Sequence, residues 1–520
     1  MTTVRTPRPM LMSAETEYSV SGQLRGRRLD PAAFFEPLRA AVCAEHRWLT
    51  DSRGPGGLFL ENGSRFYPEI NGHPEYAQPE ANSPLEVAVH DKAGELLLQH
   101  AARLAMRQRS GLKFRIVKNN LDSYFPNSVT FGTHESYTCW DFAGAPAALL
   151  PHLASRVIFT GAGCLSARSG GIGFELSQRA RHIVHAVGDD TTRQRALFCT
   201  RLRKRIDNSN QGYVRAHLIC RDSVRLPFGT YLAYGTTGLL FHHLNQGRSV
   251  GQKLSLTSPV EALQSISLDP ALHARVRLQD GRDLTALDLQ QALLDECAEL
   301  QHHSDVPDWA DDVLTQWAQT LDSLRRDPLR LADRLDCYLK LAVFSDQIER
   351  AGFRWIDIRD ALRELQNARG TLPETVMADL FNDRSDAVPP EHAEQLAAAR
   401  RSFQGREPLM RFTIGLQVLE HRFHTLDDWC DDLIASGDAI LSPVTDDLIT
   451  AAVTQAPPGN RAARRGELVR EHSGSPDWFC DWAGVFRQDG TQAIDLSDPF
   501  SCPAPSPQPV PACSAPAPRH

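Results

Sequence analysis

Sixteen residues, Arg65-Phe-Tyr-Pro-Glu-Ile-Asn-Gly-His-Pro-Glu-Tyr-Ala-Gln-Pro-Glu80, place three acids, a histidine and an arginine around a break in an extended segment. Side chains on a strand alternate between its faces, so Arg65, Tyr67 and Glu69 share one face while Phe66 and Pro68 take the other. Asn71-Gly72 and Pro74 stop the strand, which lets Glu75 and Glu80 return toward the same place from a loop. Hard divalent ions such as Mg²⁺ take carboxylate oxygens from more than one chain segment and leave room for nucleotide phosphates. The run therefore reads as a phosphate and metal site, with a solvated, charged hairpin rim as the alternative.

A second acidic pair points the same way. Met10-Leu-Met-Ser-Ala-Glu15-Thr-Glu17-Tyr-Ser-Val20 reads as a first strand, and Glu15 and Glu17, two apart, lie on one face. Neighbouring acids on a strand that also carries Met10, Leu11, Tyr18 and Val20 repel one another unless a cation lies between them. An edge strand kept apart from others by its charge is the other reading. If Glu15 and Glu69 share a metal, their strands are adjacent or nearly so, and a sheet provides that arrangement.

The chain has 520 residues, which predicts roughly two to four domains. Hydrophobic content of 42% and 23% charged residues are ordinary for a globular protein. Lys and Arg total 56 against 64 acids, a net charge of −8, so no nucleic-acid surface is expected. Only Arg201–Arg205 and Arg461–Arg465 are locally basic. No apolar run is long enough for a membrane span, and the N-terminus has no signal-peptide core, so the expected location is cytoplasmic. The 11 cysteines are odd in number, scattered and without a Cys-x-x-Cys pair, which predicts reduced thiols rather than disulfides or zinc.

Several blocks resemble, in one order, the Pup ligase and Pup deamidase (depupylase) family, whose fold is related to glutamine synthetase and carboxylate-amine ligases. They are Glu15-Thr-Glu17-Tyr, Asn62-Gly-Ser-Arg65-Phe-Tyr67, His73-Pro-Glu75-Tyr, Asp91-Lys-Ala-Gly-Glu95, Lys118-Asn-Asn-Leu-Asp122 and Gly132-Thr-His-Glu135-Ser-Tyr137. Phe174-Glu-Leu-Ser-Gln178-Arg179-Ala, Thr200-Arg201 and Arg215-Ala-His217 continue the series. Ala456-Pro-Pro-Gly-Asn-Arg461-Ala-Ala-Arg-Arg465-Gly and Trp482-Ala-Gly-Val485 resemble the family's small C-terminal domain. The resemblance spans about residues 10–365 and 445–487.

Carried over residue by residue, the resemblance makes Glu15, Tyr67 and Glu75 magnesium-site residues and Arg65 and Trp482 ATP contacts. Gln78 stands where the family has an ATP-contacting threonine, and Arg201 and Arg461 join the cofactor side as arginines for phosphate charge. Glu69 occupies the general-base position, where the family has aspartate. One added methylene moves a carboxylate by roughly 1 Å, a displacement worth on the order of 100-fold where positioning is the catalytic device. After Thr200-Arg201 the family's acidic, histidine-bearing loop is replaced by the basic run Leu202-Arg-Lys-Arg-Ile-Asp-Asn-Ser-Asn-Gln-Gly212.

The resemblance implies an α+β fold, a large curved and mainly antiparallel sheet backed by helices, with a small C-terminal domain closing over the nucleotide. The expected division is a glutamine-synthetase-like catalytic domain over 1–371, a helical insertion over 372–442, the C-terminal domain over 443–497 and a disordered Pro/Ala/Ser-rich tail over 498–520. Periodicity predicts helices over 84–107, 230–247, 284–300 and 307–350, and helical spacing recurs over 391–401 and 411–434. The implied activity is an ATP- and Mg-dependent ligation. It would join a glutamate γ-carboxylate of a small Pup-like protein modifier to a lysine amine on a protein substrate through an acyl phosphate. Two alternatives stay open, a depupylase-type amide hydrolase using bound nucleotide and a diverged nucleotide-binding relative without the ligation. Family deamidases carry a long insertion between the first strand and the Arg-x-Tyr strand. The short stretch between Glu15 and Arg65 favours the ligase, whereas Pro79 is typical of the deamidase side.

Overall fold

The computed structural model describes residues 8–501, apart from 53–55, 70–71, 122–129, 169–171, 202–211, 304, most of 370–403, and 428–442. Its centre is a twelve-stranded sheet with the strand order His185–Gly188, Ala196–Cys199, Val214–Leu218, Thr133–Cys139, Met12–Glu17, Pro74–Ala77, Arg65–Pro68, Leu58–Leu60, Trp48–Asp51, Trp478–Asp481, Gly484–Arg487 and Gln492–Asp495. Neighbours are antiparallel except for His185–Gly188 with Ala196–Cys199 and Trp478–Asp481 with Trp48–Asp51. The expected mainly antiparallel α+β architecture is thus the observed one. The C-terminal strands extend the large sheet through that second parallel pairing instead of forming a sheet of their own.

Alternation along the first strand explains how the sheet is used. Met12, Ala14 and Thr16 are buried on the back, and Ser13, Glu15 and Glu17 look out from the front. Two long helices cover the back, Pro84–Gln108 and Pro227–Asn245. Ser83 caps the first by accepting from the Glu86 N–H at 3.2 Å. Gly94 is where this helix touches the sheet, since a Cβ there would come within 2.6 Å of the Tyr76 ring. Val87, Leu97 and Leu98 are fully buried on it, each worth about 1.5–3 kcal/mol of transfer free energy.

Beneath the sheet, Asp91, Glu95 and Lys118 from three of the resembling positions form a closed ionic cluster. Lys118 Nζ lies 2.7 Å from Asp91 and 2.8 Å from Glu95, and Arg225 Nε lies 3.0 Å from Glu95. Removing one partner leaves buried charge uncompensated, so Lys118→Met is expected to cost about 3–5 kcal/mol in a denaturant melt. Loss of the exposed Asp322–Arg326 pair should cost less than about 1 kcal/mol in the same assay. Equal shifts for the two variants would show that the buried cluster does not hold the fold.

Three helix expectations hold in outline, at Pro84–Gln108, Pro227–Asn245 and Ala286–Glu299, the last opened by a Thr285–Asp288 capping box. The stretch 307–350 is not one helix. It splits into Ala310–Arg326 and Asp336–Arg350 because Pro328 cannot continue the first, and Asp327 caps a short 3₁₀ turn over Pro328–Leu331 instead. Within the 372–442 region, helix Glu407–Phe423 packs on helix Trp355–Arg369. The chain after it enters the body, where Leu426 N–H bonds Ile116 C=O at 2.9 Å and Lys118 N–H bonds His424 C=O at 2.8 Å. Most of 391–401, residues 428–434, the basic run 202–211 and the tail from 502 lie outside the described residues, whereas 498–501, expected to belong to the disordered tail, are held by hydrogen bonds of Arg461 and Asp498. Every cysteine among the described residues is an unpaired thiol, and no described helix is long and apolar enough to cross a membrane.

Candidate active site

Strand register brings the acids together on the front face. Glu17 pairs with Glu75, Glu75 with Tyr67, Glu15 with Ala77, and Ala77 with Arg65, so Glu15, Glu17, Arg65, Tyr67 and Glu75 share that face over three adjacent strands. Glu69 follows the Arg65–Pro68 strand by one residue. A tight turn fixes it there, its N–H donating to His73 C=O at 2.8 Å and its C=O accepting from Gly72 N–H at 2.9 Å.

These carboxyls repel one another. Burial, reinforced by Glu69 and Glu15, pushes Glu17 up to about 7 against the opposing pull of Arg179 and Arg195. Burial and the charges of Glu17, Glu15 and Glu69 push Glu75 well above the carboxylate range. The Tyr67 hydroxyl donates to Glu75 Oε1 at 2.5 Å, and the Arg65 guanidinium lies 3.7 Å from the Tyr67 ring centre while bonding Asp51 at 2.7 Å. Such convergence of buried carboxylates is unfavourable by itself and becomes favourable around a divalent cation, so the donor set fits one.

Beside the acids the neighbouring strands add imidazoles. His134 pairs in register with Glu15, and one donor atom each from Glu15, His134 and His217 lies within 4.8 Å of the others. Burial, with Arg179 adding, takes His134 down to about 3, so it is a neutral nitrogen ligand candidate at neutral pH. Arg215 Nη1 donates to Glu15 Oε1 at 3.0 Å. Glu135, between His134 and Ser136, turns to the back and is bound by Arg156 and Arg221, each at 2.9 Å. His134, His217 and Arg215 are site residues to which the sequence reading gave no metal or cofactor role. Pairing of both Met12–Glu17 and Val214–Leu218 with Thr133–Cys139 brings them together, a register that one sequence does not show.

A cavity opens over this face, lined by Ser13, Glu15, Ser136, Tyr213, Trp482 and Pro499. Trp482 sits edge-on to Phe59 at 5.2 Å with the Arg465 guanidinium 4.6 Å from its ring.

Other expected contacts lie elsewhere. Arg461 lines the cavity but is already bonded, to Glu80 at 2.7 Å and to Leu496 C=O at 2.9 Å. Gln78 is turned to the back, where the amide orientation that satisfies both neighbours accepts from Asp91 N–H at 3.0 Å and donates to Val87 C=O at 3.2 Å. Arg201 is exposed toward the far edge of the sheet, bonded to Thr191 Oγ1 at 3.2 Å and outside the cavity lining.

Glu80 corrects the reading of the opening run, which had it return toward the metal. Its carboxylate is clamped by Arg461 and Arg465 of the Arg461–His472 helix. Burial alone would raise its pKa, but the two guanidiniums, Arg465 foremost, hold it at about 2. A group ionised more readily folded than at its ordinary 4.5 gives stability that is present above about pH 4.5 and lost as pH falls toward 2, amounting to about 3 kcal/mol. Wild-type protein should therefore lose stability over that acid window more steeply than Glu80→Gln. Superimposable pH profiles would show that the clamp does not tie the C-terminal helix down.

Behind the site, residues from the 372–442 region complete a buried network. Gln178 donates to His424 Nε2 at 3.1 Å, and Lys340 Nζ lies 2.7 Å from the same nitrogen. His424 Nδ1 lies 3.0 Å from Lys118 C=O, which assigns its proton to Nδ1 and leaves Nε2 to accept from both.

The chain belongs to the Pup-ligase protein family, which it matches over residues 10–382. It is 37% identical over 321 residues to the Pup deamidase/depupylase of Mycolicibacterium smegmatis, covering 61% of this chain and 63% of that protein. It is 30% identical over 500 residues to the Pup--protein ligase of Acidimicrobium ferrooxidans, covering 94% of this chain and 95% of that one. The chain thus spans less than two thirds of the first of these relatives and nearly all of the second. The solved complex between prokaryotic ubiquitin-like protein Pup and its ligase PafA shares the fold, with a TM-score of 0.71 at 21% identity, covering 95% of this chain and 89% of that one.

Proposed function

We propose that the protein is an ATP- and magnesium-dependent ligase that joins a glutamate γ-carboxylate of a Pup-like modifier to a lysine amine of a protein substrate. The observation that carries this reading is the near end-to-end alignment with one Pup--protein ligase, other ligases and the depupylases alike matching about two thirds of the chain. The front face supplies what the chemistry needs. A phosphoryl group passing from ATP to a carboxylate develops negative charge that must be neutralised, and little covalent work is left to the protein. Glu15, Tyr67 and Glu75 would hold magnesium, which supplies that neutralisation when bound. Tyr67 stays protonated, because burial and the Glu75 charge raise its pKa, so its hydroxyl orients Glu75. Arg215, bonded to Glu15, and Arg65, close on Tyr67, bring positive charge to the same face. Glu69 takes a proton from the incoming lysine amine, which attacks the acyl phosphate and releases phosphate as the isopeptide bond forms. Trp482, an ATP contact by the family resemblance, lines the cavity.

ADP and phosphate counted against conjugate formed, with purified protein, modifier and a lysine-bearing acceptor, test the reading. One ADP per bond is expected, dependent on both protein substrates. The higher identity to depupylases supports a second reading, hydrolysis of the same bond. Amide cleavage sustained by non-hydrolysable ATP, with no nucleotide consumed, would establish that reading and overturn ligation.

A further inference from the structure

The cavity over the acidic face has a wall that comes from beyond the last strand of the sheet. Leu496–Ser501 leaves the Gln492–Asp495 strand and crosses back over the opening, where Pro499 joins Trp482 in the lining. Its anchorage to the C-terminal unit is polar and dense. Leu496 N–H bonds Ala483 C=O at 2.8 Å, Arg461 donates to Leu496 and Ser497 C=O at 2.9 and 3.2 Å, and Arg461 N–H reaches Pro499 C=O at 3.3 Å. Asp498 shapes the turn, its Oδ1 accepting from Phe500 N–H at 3.0 Å and its C=O from the Ser501 hydroxyl at 2.8 Å. Toward the large sheet the connection is of another kind. The Phe500 ring meets Tyr213 edge-on at 5.4 Å, and Tyr213 lines the opposite side of the same cavity and leans on Trp140 at 4.8 Å.

We propose that Phe500 is the latch of the nucleotide cavity, an aromatic clasp that closes the Pro499 wall onto the Tyr213 wall and must part for nucleotide to leave. The wall is rigid on one side, through Arg461 and the Asp498 turn. On the other it is joined by a ring-on-ring contact, which is strong enough to favour the closed state and weak enough to open on the timescale of turnover. Arg461 links the latch to Glu80 and so to the end of the central Pro74–Ala77 strand beside the acids. The latch rests on the nucleotide reading of the cavity. Phe500 is outside the cavity lining, so its role is to retain the nucleotide and hold its place.

Stopped-flow release of a fluorescent ATP analogue from the full-length protein with magnesium is the test. Phe500→Ala should release nucleotide about tenfold faster, with the melting temperature of the nucleotide-free protein unchanged and Phe500→Tyr restoring slow release. Tyr213→Leu attacks the clasp from its other side, so the two changes together should release nucleotide no faster than the faster single variant. Release from both single variants within about twofold of wild type, with nucleotide still bound by each, overturns the latch and leaves the ligase reading standing. A wild-type protein that binds no magnesium-ATP overturns both.

Discussion

Glu69→Gln is expected to lower turnover by at least about 100-fold while leaving magnesium-ATP affinity within about twofold, because a general base acts in the chemical step and not in holding the nucleotide. The geometry favours this separation. Glu69 is pinned by backbone bonds on both sides of its turn, at the end of the strand that carries Arg65 and Tyr67, and its charge reaches Glu17 and Glu75. It therefore lies beside the acid cluster. Glutamine keeps the length and removes the proton acceptor. Glu69→Asp shortens the side chain to the family's own length, and it should retain or improve activity. Conjugation kinetics with calorimetric ATP binding separate the two effects. Full activity in Glu69→Gln would remove residue 69 from the mechanism.

The alternation of Arg65 and Tyr67 and the pairing of Glu15 with Glu17 were legible because both follow from the two-residue period of a strand, and the structure puts all four on one face. Helix Pro84–Gln108 was legible from its cap and its apolar spacing. Glu80 was misread for a different reason. Its partners Arg461 and Arg465 come from a helix more than three hundred positions away, and nothing local distinguishes a carboxylate clamped by arginines from one waiting for a metal. Gln78 follows Ala77 past the end of its strand, so alternation turns it to the helix side whatever its counterpart does elsewhere. His134 and His217 needed strand register, which one sequence does not provide. His424 and Lys340 needed the packing of a region with no counterpart in the family resemblance.

Glu75→Gln is expected to move binding and stability in opposite directions. Its carboxyl is buried among Glu15, Glu17 and Glu69, and its pKa is raised well above 4.5 by burial and by their charges. A group with a raised folded pKa contributes stability that is complete below its unfolded pKa and is lost as pH rises through the folded one. Nucleotide-free wild type should accordingly lose stability as pH rises from about 4.5 through the raised folded values, about 7 for Glu17, at up to about 1.4 kcal/mol per pH unit for each such group. Glu75→Gln, which cannot ionise, should lose less. A cation reverses the sign for the wild type by turning repulsion into ligation, so saturating magnesium-ATP should flatten its pH dependence. The variant gains nothing comparable, and its magnesium-ATP affinity should fall by at least about 100-fold, since partners one shell further out are alone worth 10–100-fold. Glu15→Ala should show the same loss of binding. Thermal melts across pH, with and without magnesium-ATP, and calorimetry on both variants provide the measurement, and unchanged affinity in both would take the metal away from this face.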